Sequence, residues 1–293
     1  MFDNARRLTA VCVMCIGLIL SGTASASQAQ WPQKIRIGFI PTEGGSAVES
    51  RFQPLADHVK KSLGVEVEII SASDYSGVIT AMAHKHLDFA YFGPKSYVEA
   101  AKKADAQAIA LELNKAGEPG YYGVIITRKD SPIKTLSQIK GKVFAFTDPN
   151  STSGYLVPNI LFARDLKVKP EAYFRQVKFS GSHGASILSV KNGTVEVAAT
   201  NNIDLDRMIQ KGQATLDDFR VLWTSELIPG APMAARKDLP ESLKAAFAGA
   251  LLSFNGDTEG MAHLQNGGYG FADDSTYDTI RYLKYLKKKM AAK

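Results

Sequence analysis

Residues 148–155 read DPNSTSGY, a stretch with more hydroxyl groups than one helix start needs and without a lysine or arginine. Three small hydroxyl residues, Ser151, Thr152 and Ser153, follow an Asp-Pro-Asn turn and precede LVPNILFARDL, an apolar run of helical period. The first N–H groups of a helix have no partner inside it, and the aligned peptide dipoles leave partial positive charge there. One Ser or Thr suffices to cap such an N–H; the other hydroxyls are then free to donate outward to an anion. Gly154 would admit a close approach to the backbone. The same stretch also reads as an ordinary N-cap in a hydroxyl-rich turn, and taken alone it leaves both readings open.

A second stretch repeats the pattern. SGSHGAS (Ser180 to Ser186) again places small and hydroxyl residues after a strand signal and adds His183, whose imidazole donates to an anion best when protonated. Tyr75, at a strand exit, and Tyr121, where the chain passes between its two halves, offer phenol donors. Each has a plainer alternative: a capping histidine, and tyrosines packed at a boundary. Asp148 and Asp204 could form an acid–base pair, but an Asp in a DPN turn more simply organises the turn. His84 and His86 are two apart on a helical stretch and face different ways. The phosphate-cradling GxGxxG and GxxxxGK[ST] loops are absent, as is the GxSxG nucleophile elbow, so neither nucleotide binding nor serine catalysis has local support.

The elements that must position these groups follow from patterning. Arg6 and Arg7, an apolar run from Leu8 to Leu20 too short for a membrane span, and Ala24-Ser25-Ala26 describe a cleaved secretory signal over residues 1–26. Both cysteines, Cys12 and Cys15, lie inside it, so the mature chain is expected to hold no disulfide, thiolate metal ligand or cysteine nucleophile. The net charge of +6 is mild, and much of it sits on the lysines of the last helix, opposite Ile280, Leu283, Leu286 and Met290. That is a solvated, docked helix; nucleic-acid binding is not expected.

Downstream, strand signals at 34–41, 65–72, 88–93 and 121–129 alternate with helical ones, and a second such run uses 142–148, 173–181, 195–202 and 219–226. Such alternation predicts α/β architecture with parallel sheets covered on both faces. Two runs and a leftover helical segment predict two lobes crossed twice by the chain: 31–124, then 125–226, then a return over 227–293. In open α/β sheets a ligand sits beyond the carboxyl ends of the strands. Those ends here are polar, small or glycine.

Over nearly its whole mature length the chain resembles the periplasmic phosphate/phosphite/phosphonate-binding proteins of ABC importers. The blocks that carry the resemblance are DYSGVI (74–79), DFAYFGPKSYVEA (88–100), PGYYGVIITRKDSPI (119–133), DPNSTSGYLVP (148–158), GSHGASILSV (181–190), VAATNN (197–202) and LIPGAPMAARKDLP (227–240). The resemblance implies a type II periplasmic binding fold, two α/β lobes joined by a two-stranded hinge with the ligand cleft between them. It implies that Ser151, Thr152, Ser153, Tyr75, Tyr121 and His183 grip a phosphorus oxyanion. Relatives selective for 2-aminoethylphosphonate hold its ammonium with two carboxylates; the matching positions here are Asp204, in a loop one residue short, and Ala231, which carries no charge.

The function so implied is a non-enzymatic, monomeric periplasmic receptor that needs no cofactor or metal. It would capture a phosphonate, methylphosphonate, phosphite or phosphate and deliver it, as the closed form, to an inner-membrane ABC permease. The alternatives are a ligand-sensing partner of a membrane sensor kinase, which uses the same cleft, and a phosphonate-processing enzyme, for which the sequence offers no metal cluster or activated nucleophile.

Overall fold

Alternation of apolar residues decides the first strand. In β1 (Lys34–Phe39), Ile35, Ile37 and Phe39 are buried while Lys34 is exposed. The computed structural model describes residues 31–291; the expected signal segment lies outside them. β1 pairs in parallel with β2 (Glu66–Ser71) and with β3 (Phe89–Tyr91), all of whose residues are buried. β4 (Ala106–Glu112) ends the first run, and β5 (Gly120–Arg128) enters a different sheet. That sheet is completed by β6 (Val143–Phe146), β7 (Gln176–Phe179), β8 (Val197–Asn201) and β9 (Phe219–Pro229). The chain then returns to the first sheet through β10 (Pro232–Arg236) and β11 (Tyr269–Gly270). The orders are β11-β4-β10-β3-β1-β2 and β7-β6-β8-β5-β9.

The second sheet shows why it must be covered on both faces. Val124, Ile126, Val143, Ala145 and Ala198 belong to one buried cluster; their strand neighbours Ile125, Phe144, Phe146, Val197 and Ala199 belong to another. Successive side chains point to opposite faces, so strands apolar at every position need two helical layers. In the first sheet the core is aromatic, with Phe89 stacked on Phe247 at 3.8 Å and Phe39 on Phe52 at 4.1 Å.

The expectation of purely parallel sheets needs correction. β10 runs antiparallel to both β3 and β4, β11 antiparallel to β4, and β5 antiparallel to β8 and β9. The cause is connectivity: β5, on which the chain enters the second sheet, runs against its neighbours there, and β10 and β11, on which it returns, run against theirs in the first sheet. The last helix, Asp278–Ala291, buries Ile280 and packs Leu283 on the core, as its apolar stripe requires. Its lysines are not merely solvated, since Lys284 pairs with Glu99 at 2.7 Å and Lys287 lies 3.7 Å over the Tyr155 ring.

Candidate functional site

Five helices begin at one place. Tyr75 opens the helix Tyr75–Ala83 after β2, and Gly93 caps Pro94–Lys103 after β3. On the opposite lobe, Ser151 caps the segment starting at Thr152 after β6, His183 opens His183–Lys191 after β7, and Asn201 caps Asn202–Gln210 after β8. Tyr75, Gly93, Ser151, Thr152, His183 and Asn201 all line a single cavity between the two sheets. Each helix follows a strand of a parallel pair, so the helix starts converge beyond the carboxyl ends of the strands. Their unpaired N–H groups and dipoles make that point favourable to an anion.

The three hydroxyls divide their work. Ser151 Oγ accepts the Gly154 N–H at 3.0 Å, the ordinary cap, and keeps its own proton to donate. Thr152 Oγ1 accepts the Lys95 N–H at 2.8 Å, a bond that spans the cleft between lobes. Ser153 Oγ is buried and makes no hydrogen bond within the chain. Ser153 does not line the cavity; its Cβ lies under Gly123 of β5, where an added methyl would come within 3.3 Å of it. The backbone turns widely here, with the Leu156 N–H bonded to the Ser151 carbonyl five residues back, a π-type turn of the kind found at functional sites.

Gly154 has a role other than the one its position suggests. A Cβ there would meet Thr147 Oγ1 at 2.1 Å, so the glycine is required by packing against the end of β6 and not by the approach of a ligand.

Tyr75 and Tyr121 both line the cavity, and Tyr75 Oη is buried with no partner in the chain. Burial raises the Tyr75 pKa, helped by the charges of Asp204 and Asp148 and opposed by Ser151. Burial likewise raises that of Tyr121, against the neighbouring Ser153 and Thr152 hydroxyls. Both phenols therefore stay neutral donors.

His183, an imidazole that donates to an anion best when protonated, is buried beside the same cavity. It is held below its ordinary 6.5, first by burial and then by Arg207, with Asp204 opposing. Its Nδ1 lies 3.1 Å from Thr200 Oγ1 and its Nε2 3.4 Å from Ser151 Oγ. An imidazole placed between these hydroxyls can orient them, and burial disfavours its charged form.

Asp204 also lines the cavity, but it is not free. Its Oδ1 accepts from Arg207 at 2.9 Å and its Oδ2 from Asn201 Nδ2 at 2.7 Å. Burial would raise its pKa, yet His183, Arg207 and Arg51 together with the Asn201 bond bring it below the carboxylate norm, so it is ionised. Across the cleft Arg207 reaches Glu112 at 2.8 Å. Ala231, Tyr91 and Thr42 complete this side, with a buried Arg51–Glu43 pair behind it. Among the described residues no group of three or more His, Cys, Asp or Glu is placed to hold a metal.

Sequence reasoning did not find Arg207, Glu112 or Tyr91. The Asp-x-x-Arg spacing of 204–207 was a usable signal for an i,i+3 pair. A lone glutamate ending the apolar stretch AIALE (108–112) was another. That the two meet, 95 positions apart, is a tertiary fact.

The lobes touch at both rims of the cavity. Lys95 Nζ donates to Asn150 Oδ1 at 3.1 Å and Asn150 Nδ2 to Ser76 Oγ at 2.9 Å; on the other rim the Gly184 N–H donates to the Thr42 carbonyl at 3.1 Å, and Lys211 pairs with Glu43. The space between is small, about 30 Å³ open to the centre of a water. One water needs roughly 10–15 Å³ on that measure, so the volume suits a compact ion.

The chain as a whole also matches known proteins. Residues 37–277 match the family model described as the periplasmic substrate-binding protein of a phosphonate ABC transporter. The chain is 32% identical over 282 residues to the phosphonates-binding periplasmic protein of Escherichia coli K12, covering 94% of this chain and 83% of that one. It is also 32% identical over 266 residues to the phosphate-import protein PhnD of Mycolicibacterium smegmatis, covering 84% and 82%. Among solved structures, a binding protein component of an ABC phosphonate transporter from Pseudomonas aeruginosa superposes with a TM-score of 0.82 at 30% identity, covering 88% of this chain and 87% of that one.

Proposed function

The chain belongs to the family of periplasmic substrate-binding proteins of phosphonate ABC transporters, and from that premise we propose that its cleft captures a small phosphorus oxyanion through neutral donors supplied by both lobes. The observation that carries this reading is the convergence of five helix starts on a cavity into which the partnerless Tyr75 hydroxyl is buried. A buried donor without an acceptor costs about 1–3 kcal/mol, which an anionic ligand would return. Tyr75, Tyr121, Ser151, Thr152 and His183 are the groups at the anion. Ser153 stands behind the cavity and is not among them, and Asp204 acts through Arg207. The relatives named for phosphonates and for phosphate place both anions in the candidate set here.

The protein does no chemistry on this ligand. We take the lobes as 31–124 with 227–293 on one side and 125–226 on the other, the boundaries falling within the crossing strands β5 and β9; they close over the anion as a monomer, and the closed form docks on the membrane permease. On this reading residues 1–26 direct the chain to the periplasm and are then removed.

Calorimetric titration of the mature protein with phosphate, phosphite and methylphosphonate tests this. At least one of them is expected to bind at a single site. Tyr75→Phe should weaken that ligand about tenfold to a hundredfold, the value of a hydrogen bond to a charged group, with no loss of folding stability. Absence of binding by all three would overturn the reading.

A further inference from the structure

The cavity that holds the hydroxyls also holds a second charge arrangement, and what it implies rests on the cleft taking a phosphorus oxyanion. Arg207 is 1% exposed, and its guanidinium donates to Asp204 in its own helix and to Glu112 in the opposite lobe. The other acceptor positions of these two acids are taken as well. Asn201 Nδ2 donates to Asp204 Oδ2 at 2.7 Å; Tyr91 Oη donates to Glu112 Oε2 at 2.5 Å, and Asn266 Nδ2 to Glu112 Oε1 at 2.9 Å. Arg207, Asp204, Glu112 and Tyr91 line the same cavity as Tyr75 and Thr152. Arg207 Nε is buried there and donates to nothing in the chain.

We infer that Arg207 sets the tail specificity of the cleft: it is an internal cation seated between Asp204 and Glu112, where a ligand's ammonium would otherwise be held. A positively charged tail entering this end would be stripped of water beside a guanidinium, and all four carboxylate oxygens already accept hydrogen bonds. Ala231, on the same wall, adds no acceptor side chain. What the wall offers instead is the apolar surface of Ile40, Ile203 and Ala231 and one unpaired N–H. The ligand class is therefore a phosphorus oxyanion with no tail, or with a small uncharged one. Burial by itself would draw the Arg207 proton off, but Glu112 and Asp204 overcome it, so the internal cation persists.

The experiment is calorimetric titration of the wild type, Arg207→Met and Arg207→Gln with methylphosphonate and with 2-aminoethylphosphonate. The wild type is expected to bind methylphosphonate at least about tenfold tighter. Arg207→Met leaves two acids without their cation, and the affinity ratio should move toward the amine by about a hundredfold, the scale measured for a desolvated charge pair. Arg207→Gln keeps amide donors for the acids while removing the charge; it should move the ratio the same way and serves if the methionine variant does not fold. A purely structural Arg207 would weaken both ligands together and leave the ratio unchanged, which overturns the inference, as would a wild type that prefers the amine. If the wild type binds neither phosphonate but does bind phosphate or phosphite, the tail argument fails while the oxyanion reading stands. If it binds none of the four, both fall.

Discussion

Replacing Thr152 by Val isolates the hydroxyl that works on both sides of the cleft. Valine has the same branching and nearly the same volume, so the lobe that carries it keeps its packing. In the closed protein Thr152 Oγ1 accepts the Lys95 N–H at 2.8 Å, with Thr152 itself 1% exposed. The substitution leaves that amide buried without an acceptor, at about 1–3 kcal/mol. It also removes a donor from the anion, at about 1.5–3 kcal/mol for a charge-assisted bond. Once the lobes part, water solvates the amide, so both losses fall on the closed complex and not on the open, ligand-free form. Together they come to about 2.5–6 kcal/mol, or two to four orders of magnitude in Kd. Calorimetry gives the affinity, and urea unfolding without ligand gives the stability, which should stay within about 0.5 kcal/mol. Thr152→Ser restores the oxygen and should recover most of the affinity. A valine variant that binds within threefold of wild type would refute the reasoning. So would one whose lost affinity is matched by lost stability.

Two further perturbations separate closure from contact and charge from orientation. An added Cβ at Gly184 would lie 3.3 Å from the Glu43 carbonyl oxygen across the rim, so Gly184→Val should obstruct closure. Overpacking of about 1–3 kcal/mol predicts ligand binding weakened roughly tenfold to a hundredfold. Small-angle scattering should then show a larger ligand-bound particle than in the wild type; an equally compact one would count against the closed geometry. For His183 the folded pKa lies below the unfolded 6.5, chiefly through burial. Its contribution is whole above about pH 6.5 and is lost as the pH falls from there toward the folded value, because the unfolded chain takes up the proton first. Urea unfolding from about pH 7.5 down to 5 should show this decline, and His183→Gln should flatten it; identical slopes would place the titration elsewhere.

What the residues gave away, and what they hid, divides along range. The helix starts at Thr152 and His183 were legible because caps, hydroxyls and apolar period are local signals. The strands β4 and β10 escaped because AQAIALE and PMAAR are alanine-rich and fit a helix as well as a strand; only their neighbours in the sheet decide them. β11 is two residues long and has no pattern to read. Gly154 was legible as a required glycine but not as required by Thr147, and Thr152 as a hydroxyl but not as the acceptor for Lys95. Arg207 and Glu112 were hidden for the same reason: a charged residue on an amphipathic helix or at a strand end looks like surface until the facing lobe is known.

The same division explains how a site without a free cation can be selective and still close on demand. Lys95–Thr152 and Arg207–Glu112 join the lobes, but neither holds them shut by itself. An amide–hydroxyl bond nets only about 0.5–1.5 kcal/mol, and a buried ion pair returns little beyond its own desolvation cost. The groups proposed as donors to the anion, by contrast, are split between lobes: Tyr75 and the Gly93 helix on one, Ser151, His183 and Asn201 on the other. Only the closed form brings them together, so a ligand binds it more tightly than the open form, and that difference is what shifts the population. The helix dipoles and phenols are neutral and cannot repel one another strongly when the anion leaves. On the inference drawn above, the acids of the same cavity, already neutralised by Arg207, would reject a cationic tail without weakening the grip on the oxyanion.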